Sequence, residues 1–369
     1  MKTDALVLKI GGSLLDSAKS YAKAAENIAE TLESRGKNMV VVVSAARGIT
    51  DLLIQASRGA REAYVAVARV YTEICEELCS TPGVRRLREE LSELEKIADL
   101  GDPDSPALAD LMLSYGERLS KMVMREALET QGLRVFEVDA RDVIVTDARH
   151  GDASIDYELT SPRVEKMYRA AVEARAVPIL EGFVGATPQG RVTTLGRGGS
   201  DYTATAIASI LGAEAELVTE VDGIMSADPR LIPSARVVNS LSYLEAAEAS
   251  LHGVKRMNPK ALEPLMKVRP IDLRIRSWRS RGTLVSSKPH RFGFKIATIS
   301  STSQQTIALI GELESRVEGA LRALNVLLKA GIEVDGIELP LGRPVLKMQI
   351  LRGDAIETLR RLHEELIET

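Results

Sequence analysis

The chain has 369 residues, of which 45% are hydrophobic and 27% charged, and its formal net charge is −4. Such a length suits two domains, and the apolar content supplies a core for both. The weakly acidic balance offers no basic surface for nucleic acid, and no apolar run reaches the roughly 18 residues that a membrane span requires. We therefore expect neither nucleic acid nor membrane as a partner. The opening residues MKTDALVL show no secretory signal, which predicts a cytoplasmic location.

The first predicted strand, ALVLKI at residues 5–10, is an almost continuous apolar run, as expected for a parallel sheet covered on both faces. Gly11, Gly12 and Ser13 follow it directly. Glycines after a strand let phosphate oxygens approach main-chain N–H groups, and Lys9 at the strand tip can neutralise a transferring phosphoryl group. The segment matches neither GxxxxGK[ST] nor GxGxxG, so a tight turn beside an exposed lysine is the alternative interpretation.

A second strand repeats this arrangement. A predicted helix at 20–35 leads to the strand MVVVV at 39–43, and the turn SAARGITD at 44–51 follows with small residues and hydroxyls. Strand, helix and strand in succession predict parallel pairing, which brings both turns to one edge of the sheet.

A long helical segment comes next. Helices at 56–79, 84–100 and 107–130 are separated by STPG and GDPDSP, and no strand signal intervenes. An insertion of this length, 52–132, predicts a lid or a subunit-contact subdomain.

The cysteines and histidines offer little for a metal site. Cys75 and Cys79 lie four residues apart in one predicted helix, and the four histidines are scattered along the chain. We therefore expect buried apolar cysteines and no metal ligands.

Alternating strands and helices resume after the insertion. The pattern predicts strands at 135–138, 177–184, 216–220 and 271–275, a turn with a short strand at 140–145, helices at 164–175 and 240–252, and a hairpin turn at 187–190.

The segment 193–229 is the richest in functional signals. The end of a strand at 193–195 is followed by three glycines and a helix of small residues, which Ser200 or Asp201 can cap. A helix N-terminus favours a carboxylate or a phosphate, and Arg197 adds a bidentate fork. The loop 221–229 follows the next strand, where ligands of open α/β sheets bind. An anion-binding corner is therefore predicted here.

The C-terminal residues predict a second, smaller unit. Residues 286–305 are interpreted as a linker with one strand signal at 295–300, and the order βαββα over 306–367 is typical of a small α+β unit of the ferredoxin-like type. Binding, dimerisation or regulation is the expected role, and a purely structural appendage is the alternative.

Five motifs in this order resemble those of the aspartate kinases. They are KIGGS at 9–13, SAARGIT at 44–50, SYGE at 114–117, GRGGSD at 196–201 and TEVDGIMSADPR at 219–230. KIGGS alone marks only the wider amino acid kinase superfamily, whereas GRGGSD with the upstream SYGE is far more specific.

The resemblance implies an α/β fold with an open, mainly parallel sheet sandwiched by helices and carrying a helical insertion. It implies a catalytic domain at 1–285, a linker at 286–305 and a single C-terminal α+β ferredoxin-like domain of the ACT type at 306–369.

The activity implied by the resemblance is ATP-dependent phosphorylation of the side-chain carboxylate of L-aspartate to 4-phospho-L-aspartate, at the start of lysine, threonine and methionine biosynthesis. Mg²⁺ would be held mainly through the nucleotide phosphates. An attacking carboxylate is already ionised at neutral pH, so catalysis needs alignment and charge neutralisation more than a base.

Site residues follow from the resemblance position by position. Lys9 and Asp201 are the implied catalytic residues, Glu117 suits the substrate ammonium, and Arg197 suits a carboxylate. The implied substrate contacts are Ser44, Thr50, Glu117, Arg197, Gly199 and Ser200. The implied nucleotide contacts are Lys9, Gly11, Gly12, Ser13, Thr219, Glu220, Met225, Arg230, Lys255 and Arg256, and no residue is implied as a metal ligand.

Four positions depart from the family pattern. Arg47 replaces a small residue, Glu220 stands where Asp is usual, Met225 where Tyr is common, and Asn258 where His is common. None of these departures removes a phosphoryl-transfer group. They bear on nucleotide affinity, and Arg47 is close enough to Thr50 to affect substrate fit.

The resemblance also bears on assembly and regulation. A homodimer or higher homo-oligomer is implied, with an amino-acid effector at the ACT-type unit. Aspartate kinases usually carry two such units, so a single unit predicts altered or absent feedback by lysine or threonine. The alternatives are a catalytically silent, amino-acid-sensing regulatory subunit, or another carboxylate kinase of the superfamily.

Overall fold

The computed structural model describes residues 4–100, 102–254, 258–300, 305–352 and 354–368. The chain divides into two compact units, Met1–Glu220 with Glu263–Ile271, and Val221–Leu262 with Asp272–Thr369. The second unit thus includes segments that the sequence assigns to the catalytic domain, and the family boundary at residue 285 stays a prediction. Within the described ranges, no helix is both long enough and apolar enough to cross a membrane.

Strands of the first unit form a parallel sheet in the order β3-β4-β2-β1-β7, as the alternating pattern predicts. Every residue of the first strand except Lys9 is buried, which agrees with its apolar sequence. A separate antiparallel pair is formed by β5 and β6. The strands of this unit are β1 (Ala5–Ile10), β2 (Asn38–Val43), β3 (Val135–Glu137), β4 (Val177–Glu181), β5 (Val184–Ala186), β6 (Val192–Thr194) and β7 (Glu214–Val218).

The helices of the first unit include the predicted insertion. The helix predicted at 56–79 begins later, at Arg61, and residues 56–57 belong to the preceding helix; Gly59, whose φ is 93°, lies between the two. Cys75 is buried as expected, whereas Cys79 is half-buried, and both thiols are free. The helices are α1 (Ala18–Arg35), α2 (Ile49–Ser57), α3 (Arg61–Leu78), α4 (Thr81–Asp99), α5 (Pro106–Thr130), α6 (Ala140–Val143), α7 (Tyr157–Glu173) and α8 (Gly199–Leu211).

Two predicted elements after the insertion are wrong in detail. The segment predicted as a turn and short strand begins with helix α6, because the Asp139 carboxylate accepts a hydrogen bond from the Arg141 N–H and caps it. The strand predicted over 177–184 is divided into β4 and β5. Phe183 between them adopts φ of 67°, and a Cβ on Gly182 would lie 2.5 Å from the Ser200 Cβ. The division therefore brings the end of β4 against the start of α8.

The second unit contains two groups of strands. In the first, β10 pairs in parallel with β8 and antiparallel with β9. In the second, an antiparallel sheet has the order β11-β12-β14-β13, and the strand signal in the predicted linker is its edge strand β11. The elements of this unit are β8 (Ser240–Ser242), α9 (Tyr243–Leu251), β9 (Leu273–Arg276), β10 (Thr283–Ser286), β11 (Ile296–Ile299), β12 (Thr306–Ile310), α11 (Arg316–Lys329), β13 (Glu333–Glu338), β14 (Val345–Arg352) and α12 (Ala355–Leu366); α10 (Glu263–Lys267) belongs to the first unit.

Helices α11 and α12 cover this antiparallel sheet with one apolar core. Ile307 and Leu309 of β12 and Met348 of β14 pack with Ala323 of α11 and Leu362 of α12, and all five are buried. The order βαββα with a preceding strand agrees with the predicted ferredoxin-like unit.

Candidate active site

The turns after β1 and β2 meet, and we call residues 11–13 the glycine turn and residues 44–50 the hydroxyl turn. The Gly11 N–H donates to the Val218 carbonyl at 2.9 Å, which ties the glycine turn to the end of β7. A Cβ on Gly12 would lie 2.3 Å from the Ala45 carbonyl oxygen. The two turns are therefore in backbone contact, and only glycine allows this approach.

Replacing Gly12 with alanine should damage this contact, because the added Cβ would meet a backbone oxygen that has little freedom to move away. We expect the free energy of unfolding to fall by about 1 to 3 kcal/mol, as for other overpacked sites. Chemical denaturation measures the change. In the control Gly336→Ala the added Cβ would meet no atom within 4 Å. Equal stability of both variants would contradict the packing described here.

Lys9 and Asp201 form an ion pair at the edge of the sheet where the two turns meet. The Lys9 Nζ lies 2.7 Å from the Asp201 Oδ1, and both side chains are largely shielded from solvent. Asp201 stands in the first turn of α8, whose N-cap is Gly198 with φ of 72° and no side-chain capping bond. The prediction that Ser200 or Asp201 caps this helix is therefore wrong. The Asp201 carboxylate pairs with Lys9 instead, at a helix N-terminus that favours negative charge.

A cavity of about 760 Å³ opens beside this ion pair. Its walls come from both turns, from α5 and from the start of α8. The predicted site residues that line it are Lys9, Gly12, Ser13, Ser44, Thr50, Glu117, Arg197, Gly199, Ser200 and Asp201. All six implied substrate contacts thus share one cavity, together with both implied catalytic residues.

Glu117 presents a buried carboxylate to this cavity from α5. Its pKa is raised to about 8, mainly by burial and slightly by Glu181, while main-chain hydrogen bonds at Ala45 and Glu117 and the charge of Lys9 lower it without offsetting the burial. Among the described residues, its Oε2 has no hydrogen-bond donor. A buried oxygen without a donor is costly, so an entering ammonium group would be strongly favoured there.

A tyrosine of the helical insertion fixes this geometry. The Tyr71 hydroxyl accepts a hydrogen bond from the Ala46 N–H at 3.2 Å and donates one to the Gly116 carbonyl at 2.6 Å. Tyr71 is fully buried. Helix α3 thereby holds the hydroxyl turn at a fixed distance from Glu117, a role that no local sequence pattern indicates.

Asp110 anchors the opposite wall. Its buried carboxylate accepts hydrogen bonds from the Thr194 hydroxyl and the Gly151 N–H, and it pairs with the His150 Nδ1 at 2.7 Å. A Cβ on Gly196, whose φ is 77°, would lie 2.6 Å from the Asp152 Oδ1. Residues 150–152 therefore shape the turn that carries Arg197.

Several lining residues have no sequence signal. Phe183 lines the cavity from the break between β4 and β5, and its N–H donates to the Thr203 hydroxyl at 3.1 Å. Leu113 of α5 lines the cavity as well and packs against a small cluster that includes Phe183 and Ala140. An apolar strand end and an apolar helix face are ordinary core signals, so nothing separates these residues from core residues in the sequence.

The implied nucleotide contacts are divided among several places. Thr219 and Glu220 follow β7 in the first unit. In the second unit, Met225 is half-buried and forms an isolated antiparallel β-bridge with Val237. Arg230 of the same unit is exposed, and its Nη2 lies 2.6 Å from the Asp228 Oδ2. Lys255 and Arg256 lie outside the described residues.

Known proteins are similar to this chain in sequence and in fold. The sequence profile of the amino acid kinase family matches residues 4–277. Lysine-sensitive aspartokinase 3 of Escherichia coli is 31% identical over 301 residues, which cover 78% of this chain and 65% of that protein. The aspartokinase of Thermus thermophilus is 30% identical over 337 residues, covering 90% of this chain and 71% of that protein.

A solved structure extends the likeness to the fold. The crystal structure of E. coli aspartokinase III in complex with aspartate and ADP matches with a TM-score of 0.74 and 26% identity, over 98% of this chain and 84% of that one. The chain spans less than two thirds of the length of the first E. coli relative. Because the family profile covers most of its length and the Thermus relative is matched over 71% of that protein, the chain belongs to the amino acid kinase family and, within it, to the aspartokinases.

Proposed function

We propose that this chain is an ATP-dependent aspartate kinase, which transfers the γ-phosphoryl group of ATP to the side-chain carboxylate of L-aspartate. The product would be 4-phospho-L-aspartate, the first intermediate toward lysine, threonine and methionine. The observation that carries the proposal is the placement of Glu117, Arg197 and the Lys9–Asp201 pair around one cavity. An amino acid has one ammonium and one α-carboxylate, and this cavity offers an acidic and a basic partner for them.

Substrate binding follows from the charges of the lining residues. Glu117 would receive the α-ammonium and Arg197 the α-carboxylate, since a guanidinium fork matches a carboxylate. The side-chain carboxylate would then lie among the hydroxyls of Ser44, Thr50 and Ser200, close to the N-terminus of α8. Gly199 allows the Phe183 ring to pack against the start of α8, because a Cβ there would lie 2.8 Å from that ring.

Phosphoryl transfer would depend on charge neutralisation. The attacking carboxylate is ionised, so no group has to remove a proton. Asp201 holds the Lys9 ammonium in place, and Lys9 would stabilise the negative charge that spreads over the transferring phosphoryl oxygens. The main-chain N–H groups of residues 11–13 would contact the phosphates.

Magnesium and the adenosine are the less constrained parts of the proposal. Within the described ranges, no group of three or more His, Cys, Asp or Glu residues is placed to hold a metal ion. Mg²⁺ would be held mainly by the nucleotide phosphates, whose charge it would neutralise. Thr219, Glu220, Met225, Arg230, Lys255 and Arg256 remain the proposed contacts on the nucleotide side.

Self-association and regulation complete the proposal. Val317, Leu321 and Leu328 of α11 lie on one helix face and expose 70%, 60% and 78% of their surface, which supports a homo-oligomer. An amino-acid effector at the ACT-type unit and a cytoplasmic location, where ATP and aspartate both occur, belong to the same proposal.

A hydroxylamine trap tests the proposed activity. Hydroxylamine reacts with acyl phosphates to give hydroxamates. The purified chain with ATP and Mg²⁺ should therefore form aspartyl hydroxamate from L-aspartate, and it should form no hydroxamate from L-glutamate or N-acetyl-L-glutamate. Parallel assays with lysine or threonine test the prediction that feedback is altered or absent, which strong inhibition by either amino acid would contradict. Hydroxamate from another acid would reassign the substrate. If the chain binds ATP but forms no hydroxamate from any of these acids, the kinase proposal is overturned in favour of a catalytically silent regulatory subunit.

A further inference from the structure

Two of the departures from the family pattern contact each other. The Arg47 Nη2 donates to the Glu220 Oε2 at 2.8 Å and to the Ser13 carbonyl oxygen at 2.5 Å. Arg47 belongs to the hydroxyl turn, Ser13 to the glycine turn, and Glu220 follows β7. One guanidinium therefore joins the ends of three neighbouring strands of the first unit.

The contact between Arg47 and Glu220 contributes little to the stability of the fold. The side chains of Arg47 and Glu220 are 53% and 44% exposed, and exposed ion pairs add little to the free energy of folding. The Arg47 N–H, however, also donates to the Leu15 carbonyl at 2.9 Å, and its Nε lies 4.0 Å from the Asp16 carboxylate. The arginine thus contacts the glycine turn and the residues just after it through both main chain and side chain.

Holding the Ser13 carbonyl has an electrostatic consequence. A carbonyl oxygen bonded to a guanidinium is restrained from turning toward an incoming phosphate, whose oxygens it would repel. The same guanidinium neutralises Glu220, a carboxylate at the proposed nucleotide side that would otherwise repel a triphosphate. Both effects act mainly on the nucleotide, although Arg47 and Ser13 also line the cavity that holds the proposed substrate contacts.

We propose that Arg47 is a positioning residue for nucleotide phosphates: it holds the glycine turn through Ser13 and neutralises Glu220, which in turn keeps the guanidinium in place. This inference rests on the proposed kinase function. In this interpretation the arginine and the glutamate are one linked departure from the family pattern, because each compensates for the charge of the other.

A double-mutant cycle tests the inference. Arg47→Ala should raise the KM for ATP roughly tenfold and lower kcat severalfold, since it frees the Ser13 carbonyl and leaves Glu220 unpaired. Glu220→Gln alone should raise the KM for ATP by roughly threefold, because the guanidinium loses its anchor. In the double variant the KM for ATP should fall below that of Arg47→Ala, since the unpaired carboxylate is gone, while kcat stays low. The KM for aspartate should change clearly less than the KM for ATP in every variant, even though Arg47 also lines the substrate cavity.

Two controls distinguish this role from a general structural one. Arg69 and Glu73 form an exposed ion pair on α3 with the same chemistry, and Arg69→Ala should leave both KM values unchanged. Calorimetric titration with ADP reports nucleotide affinity without turnover, and Arg47→Ala should weaken it roughly tenfold. Equal shifts in both KM values, no gain in the double variant, or unchanged ADP affinity would overturn the inference.

Failure of the kinase proposal can be recognised separately. If the unmodified chain forms no aspartyl hydroxamate, the proposed function fails, while the ADP titrations of the unmodified chain and Arg47→Ala still decide whether Arg47 positions phosphates.

Discussion

Replacing Lys9 with alanine should lower the turnover number at least 10³-fold while the affinity for aspartate changes little. Lys9 lies 2.7 Å from Asp201 at the N-terminus of α8, where negative charge develops during the proposed transfer. An interaction that is made mainly in the transition state appears in kcat and leaves ground-state binding intact. Steady-state kinetics with the hydroxamate assay measure kcat, and calorimetry measures aspartate binding.

The control for this variant concerns the carboxylate that it leaves behind. Lys9→Ala removes the partner of Asp201, whose side chain is only 16% exposed, so part of the loss could come from a disturbed fold. The double variant Lys9→Ala/Asp201→Asn has no unpaired charge and should regain stability without regaining turnover. A Lys9→Ala enzyme that keeps most of its turnover would remove Lys9 from the mechanism.

Aspartate affinity should weaken as the pH falls below about 8, because Glu117 binds an ammonium only when it is ionised. Burial raises its pKa to about 8, so below that pH the free site is mainly protonated. Binding must then release the proton, which weakens the apparent affinity by up to about tenfold per pH unit. Calorimetry between pH 6 and 9 in buffers of different ionisation enthalpy should detect the released proton.

Glu117→Gln isolates this effect. The variant should lose roughly 100-fold in aspartate affinity at pH 8.5 and should bind with almost no pH dependence. Glu73→Gln changes an exposed carboxylate of α3 and is the matched control. A pH profile of Glu117→Gln that parallels the unmodified enzyme would contradict the assignment of Glu117.

The same raised pKa affects the stability of the protein. Between pH 4.5 and about 8 the folded state keeps a proton on Glu117 that the unfolded state has lost, so the free energy of unfolding should fall as the pH rises through this window. The full shift corresponds to about 5 kcal/mol. Glu117→Gln should remove this decline, which denaturation at pH 5 and pH 8.5 would reveal.

The parallel sheet could be predicted because the apolar runs that indicate its strands are also what the buried strands require. The segments of β1 and β2 are continuous apolar runs, and strands buried on both faces require such runs. The start of α8 shows where the same reasoning fails. Ser200 and Asp201 are good capping residues, but Gly198 adopts the left-handed conformation and becomes the N-cap, so the helix begins before either of them.

Contacts between distant positions could not be predicted in the same way. Arg47 and Glu220 are 173 residues apart, and neither residue has a neighbour in sequence that indicates the pair. The resemblance located Glu117, but its raised pKa depends on how α5 is buried beneath the hydroxyl turn. Phe183 lines the cavity through a backbone conformation that is uncommon for a bulky residue, and an apolar strand end gives no sign of it.

The Tyr71 hydroxyl has a mechanical consequence. It bonds at once to the main chain of Ala46 and to that of Gly116, so the segment that carries Ser44 and Thr50 cannot shift without moving α3 or breaking a buried hydrogen bond. Helix α3 therefore restrains the hydroxyl turn relative to α5. A displacement of α3 would be passed to the hydroxyl turn, and so to one wall of the cavity, through the side chain of Tyr71.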